Sequence, residues 1–171
     1  MTAGTHILGG ILLAALFHLP VIPAAFGSVL PDIDLKKGLP KRQNRTLFNS
    51  HRGITHHVAI PITLILLSLY FRDNYSYELG RYLLSFSIGY VSHILLDILN
   101  PLGVPFTLKY YPRLSLKFVR SGKFGEIFVI LTLITILIYF IDSGELSYTS
   151  FIDKDIFEVL KKLIEEVHNS C

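Results

Sequence analysis

Four long apolar stretches alternate with polar connectors along the chain. The first covers residues 4–30 and is interrupted by Pro20 and Pro23; the others are Ile54–Phe71, Leu79–Leu99 and Phe124–Ile141. Each of the last three has about the length that crosses a bilayer core, roughly 17–25 residues. The pattern predicts an all-α integral membrane bundle with about four helical segments. The first segment has two readings. As one kinked helix it crosses once and leaves the N-terminus outside. As a re-entrant hairpin turning at "HLPVIP" it has two arms of about 11–15 residues, roughly 16–22 Å each at the helical rise, too short to cross separately. Such backbone survives at membrane depth only when buried in protein. After Ile141 the pattern changes: Ile156, Leu160, Leu163 and Val167 form one stripe of an amphipathic helix. The expected division is therefore a membrane-embedded domain, 1–145, and an amphipathic helical tail, 146–171.

Composition agrees. Hydrophobic residues make up 51% and charged residues 17%, against about 25% charged in a soluble domain. Met1 to Leu30 has no charged side chain, and no basic region precedes its apolar run, so it is expected to be retained rather than cleaved as a signal peptide. Cys171 is the single cysteine, which excludes an intrachain disulfide and a thiolate metal site.

Charge then orients the bundle. Lys36, Lys37, Lys41, Arg42, Arg45 and Arg52 fall in one connector, and Lys109, Arg113, Lys117, Arg120 and Lys123 in another; these are eleven of the sixteen basic residues. The positive-inside rule places both connectors in the cytoplasm. Their lysines and arginines read mainly as topology determinants and anionic-lipid contacts. Beyond Tyr110 and Tyr111 they lack interleaved stacking aromatics, so no nucleic-acid partner is expected.

Six acids precede Ile141. Asp73 and Glu78 belong to the short outer turn with Arg72 and Arg81. The other four, Asp32, Asp34, Asp97 and Glu126, all fall at cytoplasmic ends of apolar segments, as do His51, His56 and His57, with His93 one turn deeper. Ionisable groups at membrane depth are costly and mark functional sites. "SVLPDID" can present two carboxylates from one turn, or cap a helix. "SHRGITHH" places histidines before and within the first turn of a segment, where they can converge on an ion or cap a membrane interface. "HILLD" stacks His93 and Asp97 on one helix face at i, i+4, as two ligands or as an Asp-oriented His. Histidine and carboxylate without thiolate suit zinc, manganese or magnesium. That many donors accommodate one or two ions, as in hydrolytic sites that activate water for phosphoryl displacement. Arg52, between His51 and His56, can bind a phosphate or its transition state. Glu126 and His57 are further candidate ligands. No P-loop, dinucleotide turn or nucleophile elbow is present.

Three ordered motifs, "GSVLPDID", "HRGITHH" and "GYVSHILLDILNPLGV", resemble the YdjM-like family of membrane-bound metal-dependent hydrolases. The matching positions are Asp32 and Asp34; His51, Arg52 and His56; and His93, Asp97 and Gly103. Thr5-His6 matches an early Thr-His element. The resemblance covers roughly residues 4 to 127 and departs from the family at His57, where the box commonly ends in His-Ser. It implies an integral membrane metal hydrolase with His6 among the ligands, which favours the hairpin.

The expected function is thus cleavage of a lipid or lipid-linked phosphoester at the cytoplasmic membrane interface. A divalent ion, zinc first, would be held by His6, Asp32, Asp34, His51, His56, His93 and Asp97. Asp34, Arg52 and Asp97 are the expected catalytic residues. The alternatives are a metal-ion transporter, which requires polar groups across the membrane thickness, and a non-enzymatic membrane protein with a structural metal.

Overall fold

The computed structural model describes residues 1–144. The amphipathic tail expected over 146–171 lies outside the described residues. The fold is mostly helical, with α1 at Ala3–Leu16, α2 at Val21–Val29, α3 at Ala59–Asn74, α4 at Tyr77–Ile98 and α5 at Phe124–Asp142. Short 3-10 turns cover Leu30–Lys37, Arg42–Asn44 and Ile54–His56. A minimal antiparallel ladder pairs β1, Val104–Pro105, with β2, Arg113–Leu114.

The first apolar segment is a helical hairpin. His18 takes a left-handed φ of 53°. Its N–H reaches the Ala15 carbonyl and that of Leu19 reaches Ala14, at 3.0 and 2.9 Å. This is a Schellman closure, and Pro20 follows it where the helix can no longer continue. With 14 and 9 residues, the arms measure about 21 and 14 Å. The single kinked helix is excluded, and residues 6 and 32 return to the same end.

Helix α4 is the hub against which α1, α2 and α3 all pack. Ser76 caps its start by accepting from the Leu79 N–H at 3.4 Å. Most of its buried positions are small or polar: Gly80, Ser85, Ser87, Gly89 and Ser92, then His93 and Asp97, with Tyr90, Ile94 and Leu96 the large buried exceptions. Gly89 lies against the Ala24 carbonyl and Gly27 against that of Phe86, with no room for a Cβ at either place. Small residues thus bring α2 and α4 into backbone contact, the packing mode that joins helices in lipid. At the other end of α4, orphan carbonyls are capped by the returning loop. Leu116 N–H bonds to Ile98 and Val119 N–H to Leu99, at 2.8 and 3.0 Å.

The expectation of three bilayer-length apolar segments is corrected in part. Among the described residues, only α5 is both long and apolar enough to cross a membrane. The segment expected from Ile54 becomes α-helical at Ala59, because the Ile54–His56 turn takes its first residues. Helix α4 has the length, but its protein-facing stripe of serine, glycine, His93 and Asp97 dilutes its apolarity. Helix α5 has the opposite character. Only Glu126 is buried in it, while Phe124, Phe128, Leu131 and Ile138 stand exposed.

Substituting Gly89 by Val is expected to destabilise the bundle by about 1–3 kcal/mol or more through overpacking. Exposed Gly4→Val is the control, because its Cβ meets no atom and its backbone is not left-handed. Thermal unfolding in detergent measures the difference.

Candidate metal centre

Three elements and a helix terminus meet around Asp97, which is fully buried near the end of α4. Its Oδ1 lies 2.7 Å from Arg52 Nη2, 3.1 Å from the Met1 amino group and 3.5 Å from His6 Nε2. Its Oδ2 faces His56 Nε2 at 3.4 Å and His93 Nε2 at 3.5 Å. Asp32 Oδ1 closes the cluster, 3.4 Å from His56 Nε2 and 3.7 Å from His93 Nε2. The His6 and His93 rings stack with centroids 3.7 Å apart.

The histidines are held from behind. His93 Nδ1 donates to the Ser28 carbonyl at 2.6 Å, across the α2–α4 contact. His51 Nδ1 donates to Asp34 Oδ1 at 2.6 Å. The Thr55 hydroxyl donates to Asp34 Oδ2 at 2.6 Å, so it accepts from His56 Nδ1 at 3.1 Å. Each of these rings therefore spends its Nδ1–H on an outer acceptor and turns Nε2 inward. This is how proteins fix the tautomer of metal-binding histidines.

Buried atoms without partners support the same reading. Asp97 Oδ2 and both nitrogens of His6 make no hydrogen bond. Each such group costs about 1–3 kcal/mol if nothing satisfies it. Two sets of three inward-facing atoms, from His6, Asp32 and His93 and from His56, His93 and Asp97, each lie within 4.8 Å of one another. An all-imidazole and carboxylate donor set fits a divalent cation such as zinc or manganese.

Arg52 is 6% exposed and has a left-handed φ of 56°. Beside it, Gly53 passes so close to the Leu47 carbonyl that a Cβ has no space. The turn aims the guanidinium inward, and Nη2 anchors it on Asp97. Its Nε and Nη1 carry buried N–H groups with no partner. An anion beside the cluster would satisfy them.

A family model described as YdjM inner membrane protein matches residues 1–152. The chain belongs to that family. The match extends past the three motifs and through α5. No curated protein and no solved structure matches the chain.

Within this YdjM family member, the expected site residues divide into three groups. His6, Asp32, His56, His93 and Asp97 come together. Asp34 and His51 sit one layer out: both Asp34 oxygens are engaged by His51, Thr55 and the Gly53 N–H, and His51 Nε2 reaches only to 3.9 Å from Asp32. Glu126 and His57 are not brought to the cluster. Glu126 clasps the N-terminus of α1 to α5, accepting from the Thr2 N–H at 2.5 Å, the Thr5 hydroxyl at 2.7 Å and the Gly122 N–H at 2.5 Å. His57 accepts from the Ala59 N–H at 3.1 Å and donates from Nε2 to the Thr107 carbonyl at 3.2 Å, so it starts α3 and ties down a loop.

Arg113 escaped the sequence reading. It donates to the carbonyls of Leu102 and Gly103 at 2.6 Å and to that of Arg52 at 3.1 Å, and lies over the Tyr110 ring at 4.3 Å. Tyr110 in turn donates to the His51 carbonyl at 3.1 Å. Arg113 therefore pins the strained Arg52 turn to the loop after α4. In sequence it is one basic residue among eleven in two cationic loops.

Charge at the rim follows from these partners. Burial works against ionisation of Asp34, but the bonds from His51 and Thr55 outweigh it and hold its pKa at about 2. Burial also favours a neutral His56, yet Asp32 and Asp97 beside it push its pKa above the ordinary 6.5. A raised pKa means that His56 keeps its added proton to a higher pH than a free imidazole does. A cation must displace that proton. Zinc titrated into metal-stripped protein near pH 7 is expected to release about one proton per site, with affinity falling on acidification. Calorimetry in buffers of different ionisation enthalpy measures this, and an enthalpy independent of buffer contradicts it.

Proposed function

We propose that the protein is a membrane-embedded metal-dependent hydrolase acting on a lipid or lipid-linked phosphoester. One observation carries the reading: the buried donor cluster adjoins a buried arginine with two unpartnered N–H groups. Steadying Asp97 takes only Nη2 and leaves the other two donors unused. A phosphoester oxygen can use them, because guanidinium groups bind phosphate through parallel, charge-assisted hydrogen bonds.

His6, Asp32, His56, His93 and Asp97 would hold the cation. When bound, it supplies Lewis-acid polarisation of a phosphoryl oxygen and activation of a water. The remaining work belongs to the chain. Asp97 fixes Arg52 Nη2, leaving Nε and Nη1 for the phosphate and the charge that grows on it. Asp34 and Thr55 hold the rings of His51 and His56 in register. His51, one layer out and partly exposed, would relay a proton between the cluster and solvent.

The orientation rests on the loops. Both basic connectors leave the bundle at the cluster end and bind each other through Arg45 and Tyr111, Tyr110 and His51, and Arg113 and Arg52. The positive-inside rule then puts the site at the cytoplasmic face, with α5 crossing the bilayer. The polar groups of the cluster sit at one end of the helices rather than along a path, which favours hydrolysis over transport.

Purified protein in detergent is expected to contain zinc or manganese and to release phosphate or a phosphorylated headgroup from lipid phosphoesters. His93→Ala and Asp97→Ala abolish metal and turnover together. Arg52→Lys keeps the metal and lowers turnover by about 10²–10³-fold. Bound metal without turnover on any phosphoester would overturn the hydrolase reading, and metal-dependent uptake into proteoliposomes would replace it with transport.

A further inference from the structure

The cluster is sealed on most sides. The side chains of His6, His56, His93 and Asp97 are 0–1% exposed, whereas Asp32 is 13% and His51 14% exposed. Access is therefore at the Asp32 side. There Asp32 also lines an open groove of about 350 Å³, between the start of α1 and the α2–Leu30 turn. That is within the usual range of ligand sites, about 300–1,000 Å³. The rest of the lining is apolar, and Phe26, Leu30, Ile33 and Leu35 stand 70%, 43%, 72% and 58% exposed along it. No hydrogen-bonding side chain other than Asp32 faces it.

Resting on the hydrolase reading, we infer that this groove holds an acyl chain of the lipid substrate while its phosphate reaches the cluster past Asp32. One residue joins the two compartments, so a single amphipathic molecule fills both. The walls offer dispersion contacts to CH₂ groups and nothing for a polar ligand. The groove is open on a member of an inner membrane family, so an acyl chain of a membrane lipid is the apolar ligand at hand to fill it. The basic loops at this end favour an anionic headgroup.

The protein has no tryptophan, which allows a direct test. Ile33→Trp places a fluorophore on the groove wall, and Leu131→Trp places one on the exposed face of α5 as a bulk-lipid reference. In phosphatidylcholine vesicles with a few mole per cent of phosphatidic acid brominated on one acyl chain, Ile33→Trp is expected to be quenched at least about twofold more than Leu131→Trp, above the statistical contact that both share. Ala3→Phe, which fills the groove, and Phe26→Ser, which strips an exposed wall, each remove that excess. Equal quenching at the two positions, or an excess that survives both variants, overturns the groove. Hydrolysis of the same lipid is followed in parallel. An excess without hydrolysis leaves the groove standing and removes the hydrolase reading. Hydrolysis without an excess does the reverse.

Discussion

Everything at the working end of this fold depends on keeping one carboxylate ionised while it is buried away from bulk solvent. Asp97 is fully enclosed, and an isolated buried charge is too costly to persist. It survives because Arg52 lies 2.7 Å from one oxygen and two imidazoles face the other. Breaking a buried pair by removing one partner typically costs about 3–5 kcal/mol. Asp97 thereby holds α4 to the His51–His56 turn and to α1. The same balance leaves Arg52 with spare donors and the histidines with spare lone pairs, and the proposed chemistry grows from these surpluses.

That arrangement explains an unusual core. The bulkiest fully buried side chains are His6, His56 and His93 rather than leucines or phenylalanines. Many large apolar residues face outward, on α3, on α5 and along α2, while Leu12, Tyr90, Ile94 and Leu96 are among the few that are buried. Such a distribution would be unstable in water, where burial of apolar area drives folding. In lipid that drive is absent between helices, and close backbone approach with satisfied polar groups takes its place. Gly27, Gly89 and the serines of α4 supply the approach. The Ser28 carbonyl, held against His93, supplies one of the polar contacts.

Much of the cluster was legible because its spacing has few other uses. His93 and Asp97 at i, i+4, one of the paired aspartates after Leu-Pro, and one of the two histidines around Arg-Gly meet in it. The hairpin was legible as an alternative, since neither arm beside Pro20 could cross alone. What escaped was whatever depends on a backbone atom or on rank within a network. The Ser28 carbonyl that orients His93 leaves no residue signature. Asp34 and Asp32 look alike in sequence, yet one faces the inward nitrogens and the other serves His51 and Thr55. Glu126 reads as an acid at a helix start whether it binds an ion or clasps Thr2 and Thr5. Arg113 is disguised by the same loops that orient the protein. The length of α4 was right, but its apolarity could not be judged before its neighbours were known.

The order in which the donors occur along the chain has a consequence for biosynthesis. Residue 6 emerges from the ribosome first and residue 97 long after it, with residues 32, 51 and 56 between. Among the described residues, both three-atom groups include His93. A nascent chain that has delivered only α1 to α3 therefore offers His6, Asp32 and His56 without the imidazole that the two groups share. On the proposed reading, the full donor set forms only once α4 has entered the bundle and packed against the other helices.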